Sequence, residues 1–351
     1  LVVEVTSLYV DLITGNQITT NSMIKTFRRC PKQAEYKYFR RLKPVVLSKP
    51  LTRGKWMHSL LEAYYKGGDW EAVHKRLTNK FAKLFDEEKD HLGDLPRECY
   101  ALMKSYLWHY KFHEWNVIGV EQKVEAQFPD GTIYRLRYDL LVEDEYGLWM
   151  VDHKNLGRMP NFSSRLKDTQ SALYVWAARQ QGLNVQGFIW NYLKTTGIKK
   201  PALLKDGSRL SRVKISTDYP TYARAILEYN LNPKDYSDTL RYLKNQRFAW
   251  GEPQTSEFFH RSVLERDDYM LEGMAMEAYH TSMRMHDYNF AETRAVERVI
   301  DRSCDFMCSY NQLCETELLG GNTSIMMRKQ FTIGDPMDYY EDEVPTKEET
   351  E

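Results

Sequence analysis

No apolar run in the 351 residues approaches the roughly 20 that span a bilayer, so a membrane-embedded protein is not expected. Leu1–Val10 contains Glu4 and no Lys or Arg, whereas an export signal opens on positive charge. The five cysteines are an odd number in a long chain without such a signal. They argue against a disulfide framework and point to a reducing, cytoplasmic setting. There is no internal repeat, which excludes a repeat architecture.

Net charge is lacking too, with 49 Lys and Arg against 49 Asp and Glu, but it is unevenly spread. The last 17 residues, 335–351, hold eight acidic residues and one Lys, which leaves 48 basic against 41 acidic, a net of +7, for residues 1–334. That body suits a polyanion. The tail is expected to be a disordered, solubilising end that competes for the basic face. From Lys25 to Lys43 lie eight basic residues and one acidic one. Such a segment, with Phe27 and Tyr36 in it, fits a phosphate backbone as well as it fits a solvated helix face.

The length allows one large or two small domains. Helical patterns cover Thr19–Tyr38, interrupted by Cys30-Pro31, then Leu51–Gly67, Glu71–His91 and Arg97–Trp115. On the second, Met57, Leu60, Leu61 and Tyr64 mark the packed face and His58 lies beside it; a lone His there is ordinarily a core or surface residue. On the fourth, Cys99 belongs to an apolar stripe with Met103, Tyr106, Leu107 and Tyr110, so a buried, inert thiol is expected. Three strand-like runs follow, Val120–Phe128, Thr132–Glu143 and Leu148–Lys154, joined by Pro129-Asp130-Gly131 and by Asp144–Gly147. A helix over Arg165–Gln180 and a buried strand over Val185–Leu193 come next. Beyond Pro220 the pattern is mainly helical, at Tyr222–Glu228, Pro233–Asn245 and Tyr269–Met285.

A two-residue loop at Glu145-Tyr146 places Asp139 opposite Asp152 on one sheet face. Lys154, two residues on, shares that face; His153 points away and offers only its carbonyl. Two carboxylates and a Lys at one spot are costly to bury unless they pair or hold a cation. A hard divalent ion accepts one or two carboxylates and completes its shell with water and phosphate. A solvated hairpin with an ordinary Asp–Lys pair remains open on these residues alone.

Taken together, His58 (with Gly54 before it) on a leading helix, Asp139 in strand two, Asp152-x-Lys154 in strand three, and Gln170-x-x-x-Tyr174 on the next helix resemble the PD-(D/E)XK nuclease superfamily, and within it the RecB-like branch of CRISPR-associated and phage recombination exonucleases. The resemblance covers roughly Thr19 to Thr195 and recurs at the C-terminus. It implies an α/β, restriction-endonuclease-like core of helix, three-stranded antiparallel meander, helix and strand. The expected division is 1–200 for that core, 201–334 for a helical C-terminal region and 335–351 for the tail. It implies that His58, Asp139, Asp152 and the His153 carbonyl hold Mg²⁺ or Mn²⁺. Lys154 would activate water, and Gln170 and Tyr174 would position the DNA strand or the lysine. Glu121 on the first strand is a candidate for a second-metal site.

A subset of the branch carries one Cys ahead of the core and three near the C-terminus, holding a [4Fe–4S] cluster. Cys30, Cys304, Cys308 and Cys314 have that layout, with C-x3-C-x5-C where the family has C-x-x-C-x5-C. Zn²⁺ on four thiolates is the chemical alternative. Such a centre would tie the N-terminal helix to the C-terminal helices, structurally rather than as a redox device. The function implied is a metal-dependent DNA exonuclease acting on ends or single strands in phage recombination, replication or repair. A CRISPR spacer-processing nuclease is the first alternative and an inactive DNA-binding structural protein the second. DNA is the implied partner, with a recombination or CRISPR protein beside it; oligomeric state is not implied.

Overall fold

A computed structural model describes residues 15–46, 48–111, 115–195, 198–207, 209–210, 216–245, 258–288, 290 and 292–334. Leu1–Val10 and the acidic tail lie outside these. After a two-residue strand β1 (Ile18–Thr19) the Thr20 hydroxyl caps α1 (Asn21–Arg29) by accepting from Met23 N. The expected helix over Thr19–Tyr38 is broken at Cys30, which is extended, and Pro31 opens α2 (Pro31–Ala34) at a position where its missing N–H costs nothing. A π-turn at Glu35–Phe39 leads to β2 (Leu42–Pro44). Helix α3 (Lys49–Tyr65) carries His58. The expected helix over Glu71–His91 is two, α4 (Trp70–Ala82) and α5 (Asp86–Leu92), because Glu88 reaches back to accept from the Phe85 N–H and starts a new helix. Helix α6 (Leu95–His109) precedes the sheet.

The meander is β3 (Asn116–Gln127), β4 (Ile133–Asp144) and β5 (Gly147–Leu156). A short α7 (Phe162–Leu166), α8 (Thr169–Gln180) and β6 (Val185–Lys194) complete the α-β-β-β-α-β order. Strand β6 runs parallel to β5, as the crossover through α8 requires. Beyond lie α9 (Tyr219–Glu228) and α10 (Ser237–Asn245), then β7 (Phe259–Glu265), antiparallel to β6. The described residues beyond 200 are mainly helical, and they also supply β7, an edge strand of the six-stranded sheet that the sequence reading did not include. Gly187 fits it closely, since a Cβ there would meet the Leu264 carbonyl. Helices α11 (Asp268–His286), α12 (Ser303–Met307), α13 (Asn311–Leu318) and α14 (Ser324–Gln330) lead to β8 (Phe331–Ile333).

Both faces of the sheet are covered. One core joins Leu136, Met150 and Phe188 to Leu173 and Ala177 of α8 and Ala275 of α11. The other joins α3, α4 and α6 through Met57, Leu60, Leu102 and Met103, with Leu193 and Phe259 from the sheet. Each such side chain contributes about 1.5–3 kcal/mol of burial. Segments from the N-terminal and C-terminal parts of the described chain meet in a two-stranded sheet, β2 with β8, and in a desolvated ion network. Lys32 Nζ lies 2.6 Å from Glu35 and 3.2 Å from Glu317, and Arg40 lies 2.6 Å from Glu317. No helix among the described residues is long and apolar enough to cross a membrane.

Candidate active site

The site is built where β4 and β5 part. Strand β4 gives one edge to β3 along its length. Its other edge pairs with β5 over Leu140–Asp144 and with β1 over Ile133–Tyr134, so 135–139 face a cleft between them. The hairpin has the expected two-residue turn, and Leu140↔Val151 is its last pair. At the next position the ladder is replaced: the His153 N–H donates to Asp139 Oδ2 at 2.6 Å. His58 Nδ1, brought by α3, lies 3.4 Å from the same oxygen. Burial would raise the Asp139 carboxyl, but the His58 imidazole, with His153 and Lys154, holds it well below the usual carboxylate range. Burial would lower His58, and Asp139 and Asp152 outweigh it, pushing the imidazole up to about 9.

Asp152 is buried and shared by two partners. Oδ2 lies 2.6 Å from Lys154 Nζ, and Oδ1 accepts from Gln170 Nε2 at 2.5 Å. Burial, helped by Asp139 and opposed by Lys154, pushes its carboxyl up to about 6. Burial would lower Lys154, yet Asp152 and Asp139 leave its pKa raised, so the ammonium is held charged. Nζ also sits 5.4 Å from the Trp190 ring centroid. Gln170 opens α8 behind Asp168, whose carboxylate caps the helix and pairs with Lys25 at 2.9 Å. Tyr174, one turn on, is placed in the core, edge-on to Phe188. The His153 ring points to the opposite face, stacked on Tyr65 at 5.8 Å, and burial pushes it down to about 3, so it is neutral.

Glu121 gains weight in the structure. It stands opposite Asp139, between the pairs Val120↔Leu140 and Gln122↔Tyr138, with φ of 51°. A side chain other than Gly in that left-handed region is strained, and such strain concentrates at functional sites. Arg137 Nε holds it at 2.7 Å, and Arg137 Nη2 lies 3.8 Å from Glu62. Burial, with Asp139, pushes Glu121 up to about 8. His58, Glu121 and Asp139 each offer a ligand atom within 4.8 Å of the others, the one such set of three among the described residues. An imidazole and two carboxylates at that spacing fit a divalent ion. The sequence held this signal: a three-residue loop at Pro129-Asp130-Gly131 puts Glu121 opposite Asp139 by the same counting that paired Asp139 with Asp152.

Cys99 is buried in the α3–α4–α6 core, its thiol pushed up to about 12. Cys30 joins α1 to α2, Cys304 lies in the first turn of α12, Cys308 is the residue that ends it, and Cys314 is on α13. Burial raises Cys308, and so do nearby Cys30 and Cys304. Gln33 Nε2 lies 3.9 Å from Cys308 Sγ, and Arg298 Nε donates to Cys314 Sγ at 3.3 Å. No three of these sulfurs lie within 4.8 Å of one another. One tetrahedral zinc, with bonds near 2.3 Å, would hold them about 3.8 Å apart. The expected four-cysteine centre is therefore not formed as a closed thiol set in this structure.

A family model described as the PD-(D/E)XK nuclease superfamily matches residues 19–315. The chain belongs to the PD-(D/E)XK nuclease superfamily. Membership implies a hydrolytic nuclease with DNA as substrate, and nucleases of this superfamily generally use Mg²⁺ or Mn²⁺. No curated protein sequence matches the chain. Among solved structures it is similar to a chain from Eubacterium rectale described as a candidate exonuclease, at 10% identity and a TM-score of 0.42, covering 82% of this chain and 92% of that one. It is also similar to SSO0001, at 10% identity and a TM-score of 0.30, covering 85% of each.

The cluster at the fork carries a pH signature. At pH 7 both His58, near 9, and Glu121, near 8, bind protons that a cation must displace. Mn²⁺ affinity of the DNA-free protein, measured by calorimetry, should therefore rise from pH 7 to pH 9 with proton release that fades towards the upper end. Affinity independent of pH over that range would contradict the assigned proton occupancy.

Proposed function

We propose that this nuclease is a Mg²⁺- or Mn²⁺-dependent DNA exonuclease of the RecB-like branch, acting at DNA ends in recombination or repair. The observation that carries the reading is the convergence of His58, Glu121 and Asp139 beside the Asp152–Lys154–Gln170 cluster at the β4–β5 fork. His58, Asp139, Asp152 and the His153 carbonyl would hold the ion, with Glu121 as a further carboxylate. When bound, the ion supplies positive charge against the charge building on the scissile phosphate and makes water more acidic. Gln170 fixes Asp152 through Oδ1 and so sets the direction of Oδ2. Lys154, kept charged by Asp152, donates hydrogen bonds to the attacking water or to a phosphate oxygen and does not itself take the proton. Tyr174, one turn along the same helix, packs edge-on to Phe188 in the core.

End-labelled linear DNA and its circular counterpart test this together. Product lengths should shorten progressively from an end on the linear strand, and circles should resist. Asp139→Ala and Lys154→Ala should each lower the rate by on the order of a thousandfold. Rapid linearisation of circles would make the enzyme an endonuclease, and wild-type turnover in both variants would remove the assignment of the site.

The reading includes a [4Fe–4S] cluster on Cys30, Cys304, Cys308 and Cys314, supported by the proximity of Cys30 and Cys304 to Cys308. A cubane holds its cysteine sulfurs farther apart than one zinc ion does, which suits thiols that share a region without closing on a point. Protein purified without oxygen should be brown with about four irons per chain. Cys30→Ser should lose the colour and Cys99→Ser should keep it. A colourless protein with one zinc would replace the cluster by the alternative, and colour lost only in the Cys99 variant would mean that the wrong four had been chosen.

A further inference from the structure

His153 is the hinge of the proposed site, since its N–H binds Asp139 and its carbonyl is a proposed ligand, yet its own side chain points the other way. What holds that side chain is a closed circuit behind the sheet. Asn191 Nδ2 lies 2.7 Å from His153 Nδ1 and donates to Tyr106 Oη at 2.9 Å. Tyr106 Oη is 2.6 Å from Tyr65 Oη, and the Tyr65 ring lies on the His153 ring, 12° from parallel, which closes the loop. Four elements contribute, β5, β6, α6 and α3. His153, Asn191 and Tyr106 are all at most 2% exposed.

The circuit is itself anchored. Arg261, opposite Asn191 on β7, hydrogen-bonds Tyr106. Its guanidinium lies 3.7 Å from the Tyr110 ring centroid and 3.4 Å from that of Trp115, stacked and out of water. The bonds of this buried chain favour one geometry, although His153 Nε2 and Asn191 Oδ1 have no hydrogen-bond partner among the described residues. Outer partners of this sort orient metal ligands elsewhere, at about 10–100-fold in metal affinity.

We infer that Tyr106, Asn191 and Tyr65 are positioning residues which, through the His153 ring, hold the His153 main chain and the Asp139 carboxylate in metal-binding geometry. The inference rests on the metal-site reading above. A shift of the His153 residue as a whole, once its ring is no longer anchored, would carry its N–H and its carbonyl together and so displace two positions of the site. The circuit lies on the face away from Asp152, Lys154 and Gln170, so it acts on the site without touching the reacting phosphate.

Calorimetric titration of the DNA-free protein with Mn²⁺ separates this role from simple stabilisation. Tyr106→Phe removes one hydroxyl and keeps the ring. It should raise the Mn²⁺ Kd about tenfold or more, with the DNA KM unchanged at saturating metal. Tyr65→Phe removes the same hydrogen bond from its other end, should give the same shift, and serves if the first variant folds poorly. A contact that only stabilises would lower Tm and leave Kd alone. Asp139→Ala is the control. If it loses Mn²⁺ while both hydroxyl variants keep the wild-type Kd, the positioning role is overturned and the metal site stands. If Asp139→Ala binds Mn²⁺ as the wild type does, the metal-site reading fails and the inference falls with it.

Discussion

A single main-chain hydrogen bond, from the His153 N–H to Asp139 Oδ2, marks the constraint on which the site depends. In a regular hairpin that amide would serve the ladder; here a carboxylate takes it because β4 passes from β5 to β1 along one edge. The fork opens the sheet where Asp139 and Asp152 are buried, and an unpaired buried carboxylate would cost several kcal/mol. It is tolerated because three acids, Glu121, Asp139 and Asp152, face three cationic partners, Arg137, His58 and Lys154. Their partition is unequal. Asp139 is held ionised by a main-chain donor and an imidazole, while Asp152 and Glu121 are pushed up, so the cluster keeps acceptor capacity for a cation without carrying full negative charge.

Much of this was legible in the chain. The turn at Glu145-Tyr146 fixed the β4–β5 register, and period-two alternation then put Asp152 and Lys154 on one face and the His153 ring on the other. The helix carrying His58 and the helix carrying Gln170 were readable from their apolar stripes. Strand β7 was not, because Phe259–Glu265 contains His260 and Arg261, and a pattern reading takes Arg as exposed. Its guanidinium is buried only because Tyr110 and Trp115 close on it, and neither is near in sequence. The break at Cys30-Pro31 was visible, but the π-turn after it depends on tertiary contacts, with Tyr36 and Arg40 both reaching Glu317. Tyr174 illustrates the limit of spacing arguments: i, i+4 from Gln170 places it on the same side of α8, yet its ring is packed edge-on to Phe188 in the core.

The link between residues 32–44 and 310–333 shows how a tie can be made more than once. Lys32, almost fully buried, pairs with both Glu35 and Glu317 from α13, and Lys32 and Arg40 lie 5.0 and 5.1 Å from the Tyr36 ring centroid. Tyr310 donates to the Leu42 carbonyl, and β2 pairs with β8 directly beside it. Such desolvated pairs add little net stability over an apolar core, but removing one partner strands a charge, so they specify which segments meet. The cysteines lie on these same segments. A metal centre there would reinforce a junction already specified by charge.

The central claim is that the fork between β4 and β5 is a divalent-metal site. An anomalous-difference map from crystals grown with Mn²⁺ tests it most directly. The account predicts a peak bounded by the side chains of His58, Glu121, Asp139 and Asp152 and by the His153 carbonyl. A peak elsewhere with none at the fork, at a Mn²⁺ concentration that supports cleavage, would contradict it.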